Sequence, residues 1–229
     1  MTAEDAIRAS TSGDRSRGES AGTRSGYPSA GIYRNIGKPL LDRLGGLLLL
    51  LVFSPILLTS ALVVRVRLGS PVLYTQYRVG RGGQTFRFYK LRTMVPDRRT
   101  TPGPYQGEER RVSHKTRHDP RVTPVGARLR AWRLDELPQF INVIKGDMSL
   151  VGPRPELPVI VDGYEGWQHR RHEVKPGITG PWQVSKRNGT PMHEFIEMDI
   201  EYIENITLSR DLALLIKTPT AMFGGRKGY

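Results

Sequence analysis

The chain contains no cysteine. That excludes disulfides, thiolate nucleophiles and thiolate metal sites, and it suits a reducing compartment. Large apolar residues are nearly missing from the first 31 positions, which are rich in Ser, Gly, Thr, Arg and Glu. Such a segment cannot bury enough surface to offset the entropy of ordering, so residues 1–31 read as a disordered tail. Charge is missing from a different stretch: Leu44 to Val64 runs for 21 residues without a charged side chain. As a straight helix it would reach roughly 31 Å, about one hydrocarbon thickness. No small-x-small cleavage site follows it and more than forty residues precede it, which argues against a secretory signal peptide.

A simple spanning helix meets two objections. Pro55 sits at the middle of the run, where it removes a backbone hydrogen bond and bends a helix, and Ser54 can satisfy the carbonyl that is freed. The flanks also carry like charge, with Arg34, Lys38 and Arg43 before the run and Arg65, Arg67, Arg78 and Arg81 after it. Positive residues on both sides give no preferred direction. The pattern predicts a re-entrant membrane helix over 32–68 that enters one leaflet, breaks at Ser54-Pro55 and returns, with both termini on the cytoplasmic face. A full span with the N-terminus outside is the alternative.

Net charge is +13, and the balance is +2 through residue 64 but +11 beyond it. That basic part suits phosphate-rich partners: nucleic acid, anionic headgroups or a nucleotide diphosphate. A basic nucleic-acid-binding protein needs no uncharged membrane-length run, so the expectation is no nucleic acid. A non-catalytic membrane scaffold is the second competing reading.

Residues 69–229 read as one cytosolic domain of mixed helix and strand. PVLYTQYRVG and QTFRFYKLRTM alternate and are rich in aromatic and β-branched residues, and Val79-Gly80-Arg81-Gly82-Gly83 between them is a hairpin signal. Residues 96–120 read as a long polar loop, in which His114 and His118 are exposed loop residues and not a zinc pair. Thr123-Pro124 starts a helix expected to reach Leu134. Pro138 restarts a second, ending near Gly146. HEFIEMDIEYIE, 193–204, places Ile196, Ile200 and Ile203 on one face with acids opposite. The final apolar stretch, LSRDLALLIKTPTAMFGGRKGY, fits a helix lying on a bilayer or one packed in the core.

Between the two proline-marked helices lie adjacent carboxylates, Asp135 and Glu136. A carboxylate can hold Mg²⁺ or attack phosphorus, and an arginine in the rigid turn Gly152-Pro153-Arg154-Pro155 can clamp phosphate oxygens. Pro138 is comfortable only in a first helical turn, which puts the pair beside a helix N-terminus that favours anions. Plain helix capping by the same two acids is the alternative.

The ordered set of segments resembles the bacterial sugar transferase family, the monotopic phosphoglycosyl transferases. It comprises the Ser54-Pro55 break, YKLRTM at 89–94, DPRVT at 119–123, LDELPQ at 134–139, KGDMSLVGPRP at 145–155, KPGITG at 175–180 and WQVSKRN at 182–188. The resemblance runs from about Lys38 to Tyr229, and no extra domain precedes the unit, so it is the minimal catalytic form that is resembled. It implies an α/β fold: a re-entrant membrane helix hairpin plus a small mixed cytosolic catalytic domain with amphipathic surface helices, attached to the inner leaflet of the bacterial cytoplasmic membrane. It implies transfer of a sugar-1-phosphate from a UDP-sugar to undecaprenyl phosphate, releasing UMP, as the first membrane step of exopolysaccharide or other glycan assembly.

In that scheme Asp135 is the nucleophile of a two-step covalent reaction and the ligand of Mg²⁺, and Glu136 is its partner. By motif position Arg154 and Arg130 contact phosphate. Lys90 and Arg92 either bind nucleotide phosphates or anchor the fold. Gln139 holds the junction, and Asp147 caps a turn outside the catalytic set. Arg133 departs from the family pattern, which has a small serine there. Some members dimerise, so a homodimer is admitted. Sugar selection is expected in loops 96–118 and 183–192.

Overall fold

The computed structural model describes residues 31–95, 121–185 and 195–223. The expected tail (but for its last residue), the loop at 96–118, both of its histidines and most of 183–192 lie outside them.

Near the start of the described residues a turn of π-helix, Tyr33–Gly37, leads directly into α1, Lys38–Leu68. The two separate arms expected around Ser54-Pro55 are one helical element, with Pro55 inside it. Side chains repair the damage the proline does. Its missing N–H frees the carbonyl of Leu51, and Ser54 Oγ donates to that oxygen at 2.7 Å. Thr59 Oγ1 donates to the Pro55 carbonyl at 2.8 Å. From Tyr33 to Leu68 the helix is long and apolar enough to cross a membrane, and only 11% of its most apolar window is buried in protein.

The hairpin forms where its glycines demand it. β1, Leu73–Val79, pairs antiparallel with β2, Thr85–Leu91, and Gly82 and Gly83 take positive φ in the turn. α2, Pro124–Ala131, starts at Thr123, whose hydroxyl accepts from the Gly126 N–H at 3.0 Å. It stops three residues short of the expected Leu134. Trp132 leaves helical geometry, Arg133 adopts left-handed φ 56°, and a 3₁₀ turn, Leu134–Glu136, follows. α3, Gln139–Lys145, ends at Gly146 with φ 87°, as its glycine predicts.

β3, Ser149–Val151, pairs in parallel with β4, Gly177–Thr179. The crossover between them holds the short α4, Pro158–Val161, and a 3₁₀ run, Gly166–Glu173. The short α5, Pro181–Val184, α6, Ile196–Glu204, and α7, Leu208–Phe223, complete the described chain. Ile196, Ile200 and Ile203 join Val151, Tyr202, Ile206 and Leu214 in the main apolar cluster. The expectation that every acid of α6 faces outward is corrected: Asp199 is fully buried. α7 is two-faced, with Asp211 and Leu214 buried and Leu208, Leu212 and Ile216 exposed.

α1 packs along its whole length on this domain. Gly46 lies against Val143, Phe53 stacks on Phe140 at 6.3 Å, and Val64 fills a cluster with Leu91 and Leu129. Its two ends are tied by polar groups. Near the start, Asp211 accepts from Lys38 Nζ at 2.6 Å and from the hydroxyls of Tyr33 and Tyr202 at 2.7 Å each. Asp42 Oδ1 accepts the Leu150 N–H at 2.9 Å. At the far end Arg92 donates to the carbonyls of Leu68, of Gly69 at 2.7 Å and of Ser70 at 3.2 Å.

Removing one partner from a buried ionic cluster leaves the others desolvated and unpaired, at a cost of about 3–5 kcal/mol. Asp211→Ala should therefore lower the unfolding temperature in detergent sharply, while Asp211→Asn, which keeps acceptors for the tyrosines, falls between. An alanine variant that melts with the wild type would show that α1 is held by apolar packing alone.

Candidate active site

The two adjacent carboxylates occupy opposite environments. Glu136 Oε1 receives Lys90 Nζ at 2.8 Å and Arg154 Nη2 at 2.8 Å, and its Oε2 faces Arg133 Nη1 at 3.8 Å. Burial pushes this carboxyl up, but Arg154, Lys90 and Arg133 outweigh it and hold it well below the usual carboxylate range. Asp135 is 6% exposed, and no hydrogen bond or ion pair to its carboxylate occurs among the described residues. Burial raises its pKa, with Glu136 adding repulsion, against the pull of Lys90, Arg130 and Arg154. One acid is thus neutralised and rigid, and its neighbour is left with free oxygens in a field of three cations.

Four separate segments deliver these groups. Lys90 comes from β2, packed over Phe88 at 5.4 Å. The dyad sits in the 3₁₀ turn, set between the left-handed Arg133 and Pro138. Such a φ in a non-glycine residue is uncommon and costs on the order of 1 kcal/mol. The ion pair between Arg133 and Glu136 accompanies it. Arg133 thus faces the dyad.

Part of the expected backbone donor set at this helix start is already used: the N–H groups of Glu136, Leu137, Phe140 and Ile141 are taken by the carbonyls of Arg133, Leu134, Leu137 and Pro138, because the 3₁₀ turn merges into α3. Cationic side chains add positive charge at the same place.

Arg154 stands on the Gly152–Pro155 turn, which is held from several sides. Gly152 N–H donates to Thr179 O at 2.9 Å, and Gly177 N–H to Pro153 O at 2.8 Å. Arg78 Nη1 donates to Pro155 O at 3.2 Å, and Arg171 Nη2 to Arg154 O at 2.8 Å. Arg171 is itself locked by Asp199 at 2.8 Å, with both side chains 1% exposed. A small cleft at the turn is lined by Pro153, Arg154, Pro155, Glu156, Arg171 and His172 together with neighbouring residues.

The remaining sequence candidates divide. Arg130 Nε donates to Thr93 Oγ1 at 2.8 Å, and its charge reaches Asp135. Arg92 does not touch the dyad; its guanidinium clamps the backbone after α1. Gln139 is 1% exposed, at the junction expected of it. Asp147 accepts Asn142 Nδ2 at 3.1 Å. Phe53 and Leu57, on either side of Ser54-Pro55, pack on Phe140 and beside Leu134, whereas Pro55 itself is exposed on the opposite side of the helix.

Sequence reasoning missed Asn142, Arg171, Asp199 and Arg78. Asn142 is fully buried; its Nδ2 donates to Arg87 O at 2.6 Å, and its Oδ1 accepts the Tyr89 N–H at 3.2 Å, sewing β2 to α3. An asparagine inside an apolar helix was the available signal for it. The Arg171–Asp199 pair offers no local signal.

Among the described residues no group of three metal-ligating side chains occurs. Mg²⁺ does not require one, since it keeps waters and takes one or two carboxylates together with substrate phosphates. The open oxygens of Asp135 fit that role, whereas Glu136 Oε1 is already shared by two cations.

A buried carboxylate pair ringed by lysine and arginine thus lies on a small domain that carries one apolar helix long enough to cross a membrane. The bacterial sugar transferase family matches residues 33–225, and the chain belongs to it. It is 38% identical over 210 residues to the exopolysaccharide production protein ExoY of Rhizobium meliloti, covering 87% of this chain and 92% of that protein. It is 38% identical over 214 residues to the UDP-glucose:undecaprenyl-phosphate glucose-1-phosphate transferase of Caulobacter vibrioides, covering 90% and 77%. Against the undecaprenyl-phosphate galactose phosphotransferase of Salmonella typhimurium it is 38% identical over 187 residues, which cover 79% of this chain and 39% of the longer relative.

Burial, with Arg171 and His169 nearby, pushes the His172 imidazole down to about 4. The folded protein keeps it neutral, while the unfolded chain takes up a proton near pH 6.5. Its contribution is fully present above pH 6.5 and is lost as pH falls from there to about 4, by on the order of 3 kcal/mol. His172→Gln should flatten the fall of unfolding temperature across that window; an unchanged slope would assign the acid loss to other groups.

Proposed function

We propose that this chain is a sugar-1-phosphate transferase that moves the phosphosugar of a UDP-sugar onto undecaprenyl phosphate, giving undecaprenyl-diphosphate-sugar and UMP. Family membership and the relatives' names support the reaction class. The observation that carries the mechanism is the contrast between the paired Glu136 and the free, buried Asp135. Pairs of acids whose environments differ so sharply have different jobs.

In the first step an Asp135 carboxylate oxygen attacks the phosphorus that bears the sugar. A new P–O bond forms, the bond to the bridging oxygen breaks, and UMP leaves with that electron pair. The phosphosugar is then an acyl phosphate on Asp135. In the second step a phosphate oxygen of undecaprenyl phosphate attacks the same phosphorus and expels the Asp135 carboxylate unchanged. Two bulky donors thus use one small site in turn. Arg154 and Arg130 are the phosphate clamps. Glu136 holds Lys90 and Arg154 in place, so that their charges offset the repulsion between a carboxylate nucleophile and an anionic diphosphate. Mg²⁺ bound at Asp135 would add Lewis-acid polarisation of the phosphoryl oxygens.

The reading includes a membrane helix that enters and leaves on the cytoplasmic side. Two facts favour it over a full span. Both ends of α1 are bonded to one and the same domain, through Asp211 and Asp42 at the start and Arg92 at the finish. Mid-helix Phe53 packs on that domain too. The apolar exposed face, including Leu48, Leu51, Leu58 and Leu62, is left for lipid.

UMP release by detergent-purified protein with Mg²⁺, undecaprenyl phosphate and a panel of UDP-sugars tests the reaction and names the sugar. Asp135→Asn should abolish release while keeping the fold; substantial residual turnover would sink the covalent step. Arg154→Lys should lose at least tenfold in kcat/KM, about 1.4 kcal/mol or more, because lysine cannot form the arginine fork. No release from any donor by folded wild-type protein would favour a scaffold without catalysis.

A further inference from the structure

A second cationic site lies at the foot of α1, apart from the dyad. Arg43 is the last charged residue before the uncharged run Leu44–Val64. On a membrane-inserted helix that position falls at the level of the headgroups. The fold brings Lys175, just before β4, to the same place. Gly146, capping α3, lies between them. A Cβ on Gly146 would stand 3.4 Å from Arg43 Nη2, 3.4 Å from Lys175 Nζ and 4.0 Å from Arg43 Nε. The two cationic groups therefore converge beside the Gly146 backbone, close enough to each other to share one anion.

The two cations lack internal counterions. No hydrogen bond or ion pair to either side chain occurs among the described residues. The nearby acids are committed elsewhere: Asp42 to the Leu150 N–H at 2.9 Å with Lys38 at 4.0 Å, and Asp147 to Asn142 at 3.1 Å with Lys145 at 4.0 Å. Burial, and then repulsion by Arg43 and Arg81, push the Lys175 ammonium down despite Asp42 and Asp147. The C-terminal carbonyls of α3 are weak company for the pair, since neither cation donates to one.

A stripe of α1 leads away from this point. Leu44, Leu47, Leu48 and Leu51, at i, i+3, i+4 and i+7, are 57%, 46%, 61% and 62% exposed. Acyl chains have an apolar track that starts one residue past Arg43.

We infer that Arg43 and Lys175, converging beside Gly146, form a binding site for the phosphate of an anionic phospholipid, with its chains along the Leu44–Leu51 stripe. A phosphate bridging the two side chains meets both cations, and the lipid fills a charge deficit that the protein leaves at the membrane boundary. The inference is independent of the catalytic reading. It requires only that α1 be embedded in lipid.

Native mass spectrometry of the full chain in detergent, offered phosphatidylglycerol and phosphatidylcholine in equal amounts, tests it. The wild type should retain phosphatidylglycerol preferentially. The double variant Arg43→Gln/Lys175→Gln should bind it about thirtyfold more weakly, as loss of two headgroup-level charges implies. Its unfolding temperature in phospholipid-free micelles should match the wild type. Arg43→Lys, which keeps the charge, should retain the preference. Equal retention of phosphatidylglycerol by wild type and double variant overturns the site, as does a loss in Arg43→Lys as large as in Arg43→Gln. Displacement by inorganic phosphate at the same concentration would reassign the site to a soluble anion and overturn the lipid assignment. Binding of undecaprenyl phosphate with no binding of phosphatidylglycerol would make it an acceptor site, and would overturn it equally.

Discussion

The neutralisation of Glu136 is the interaction on which the catalytic end of this protein depends. Its Oε1 joins Lys90 of β2 to Arg154 of the Gly152–Pro155 turn, each at 2.8 Å. Three buried charges that would each be costly alone become affordable only together, because in a low-dielectric interior an unpaired ion loses several kcal/mol of hydration. The same pairing decides the state of the next residue. With both strong donors spent on Glu136, the oxygens of Asp135 remain free, although it sits in the same positive field. A carboxylate next to an immobilised twin can be buried without being bound up in an ion pair.

Around that centre the domain is an assembly of short pieces held by side chains. Among the described residues the two sheets have two strands each, too few to be stable by backbone pairing alone. Asn142 replaces missing strand neighbours along β2, and the buried Arg171–Asp199 pair braces the Arg154 turn. α1 then serves two solvents. One face packs on Val143, Phe140 and Leu129, and the other exposes leucines that only lipid would cover. The same helix presents an apolar exposed face and supports the dyad turn, which lies beside Leu57 and Phe53.

Local signals were legible where the chemistry is local. Thr123-Pro124 began a helix because a threonine cap and a proline in the first turn act within four residues. Gly82, Gly83 and Gly146 marked the hairpin turn and the helix end because only glycine takes positive φ without strain. Ser54 met the carbonyl freed by Pro55 because a proline's damage falls at a fixed distance along a helix. By contrast, the stop of α2 at Ala131 and the left-handed Arg133 were not legible, since nothing in RAWRLDE breaks a helix by itself.

The sequence by itself determined the uncharged membrane run, the adjacency of Asp135 and Glu136, the rigid turn bearing Arg154, and the family to which their order belongs. Tertiary structure alone decided which acid is paired and which is free, that Arg92 clamps backbone while Lys90 reaches the dyad, and that Arg43 and Lys175 converge on Gly146. The reason is the range of the forces. Capping, turns and periodicity act between neighbours in the chain. Ion pairs and desolvation depend on distance in space and on burial, and residues far apart in sequence acquire these only when the chain has folded.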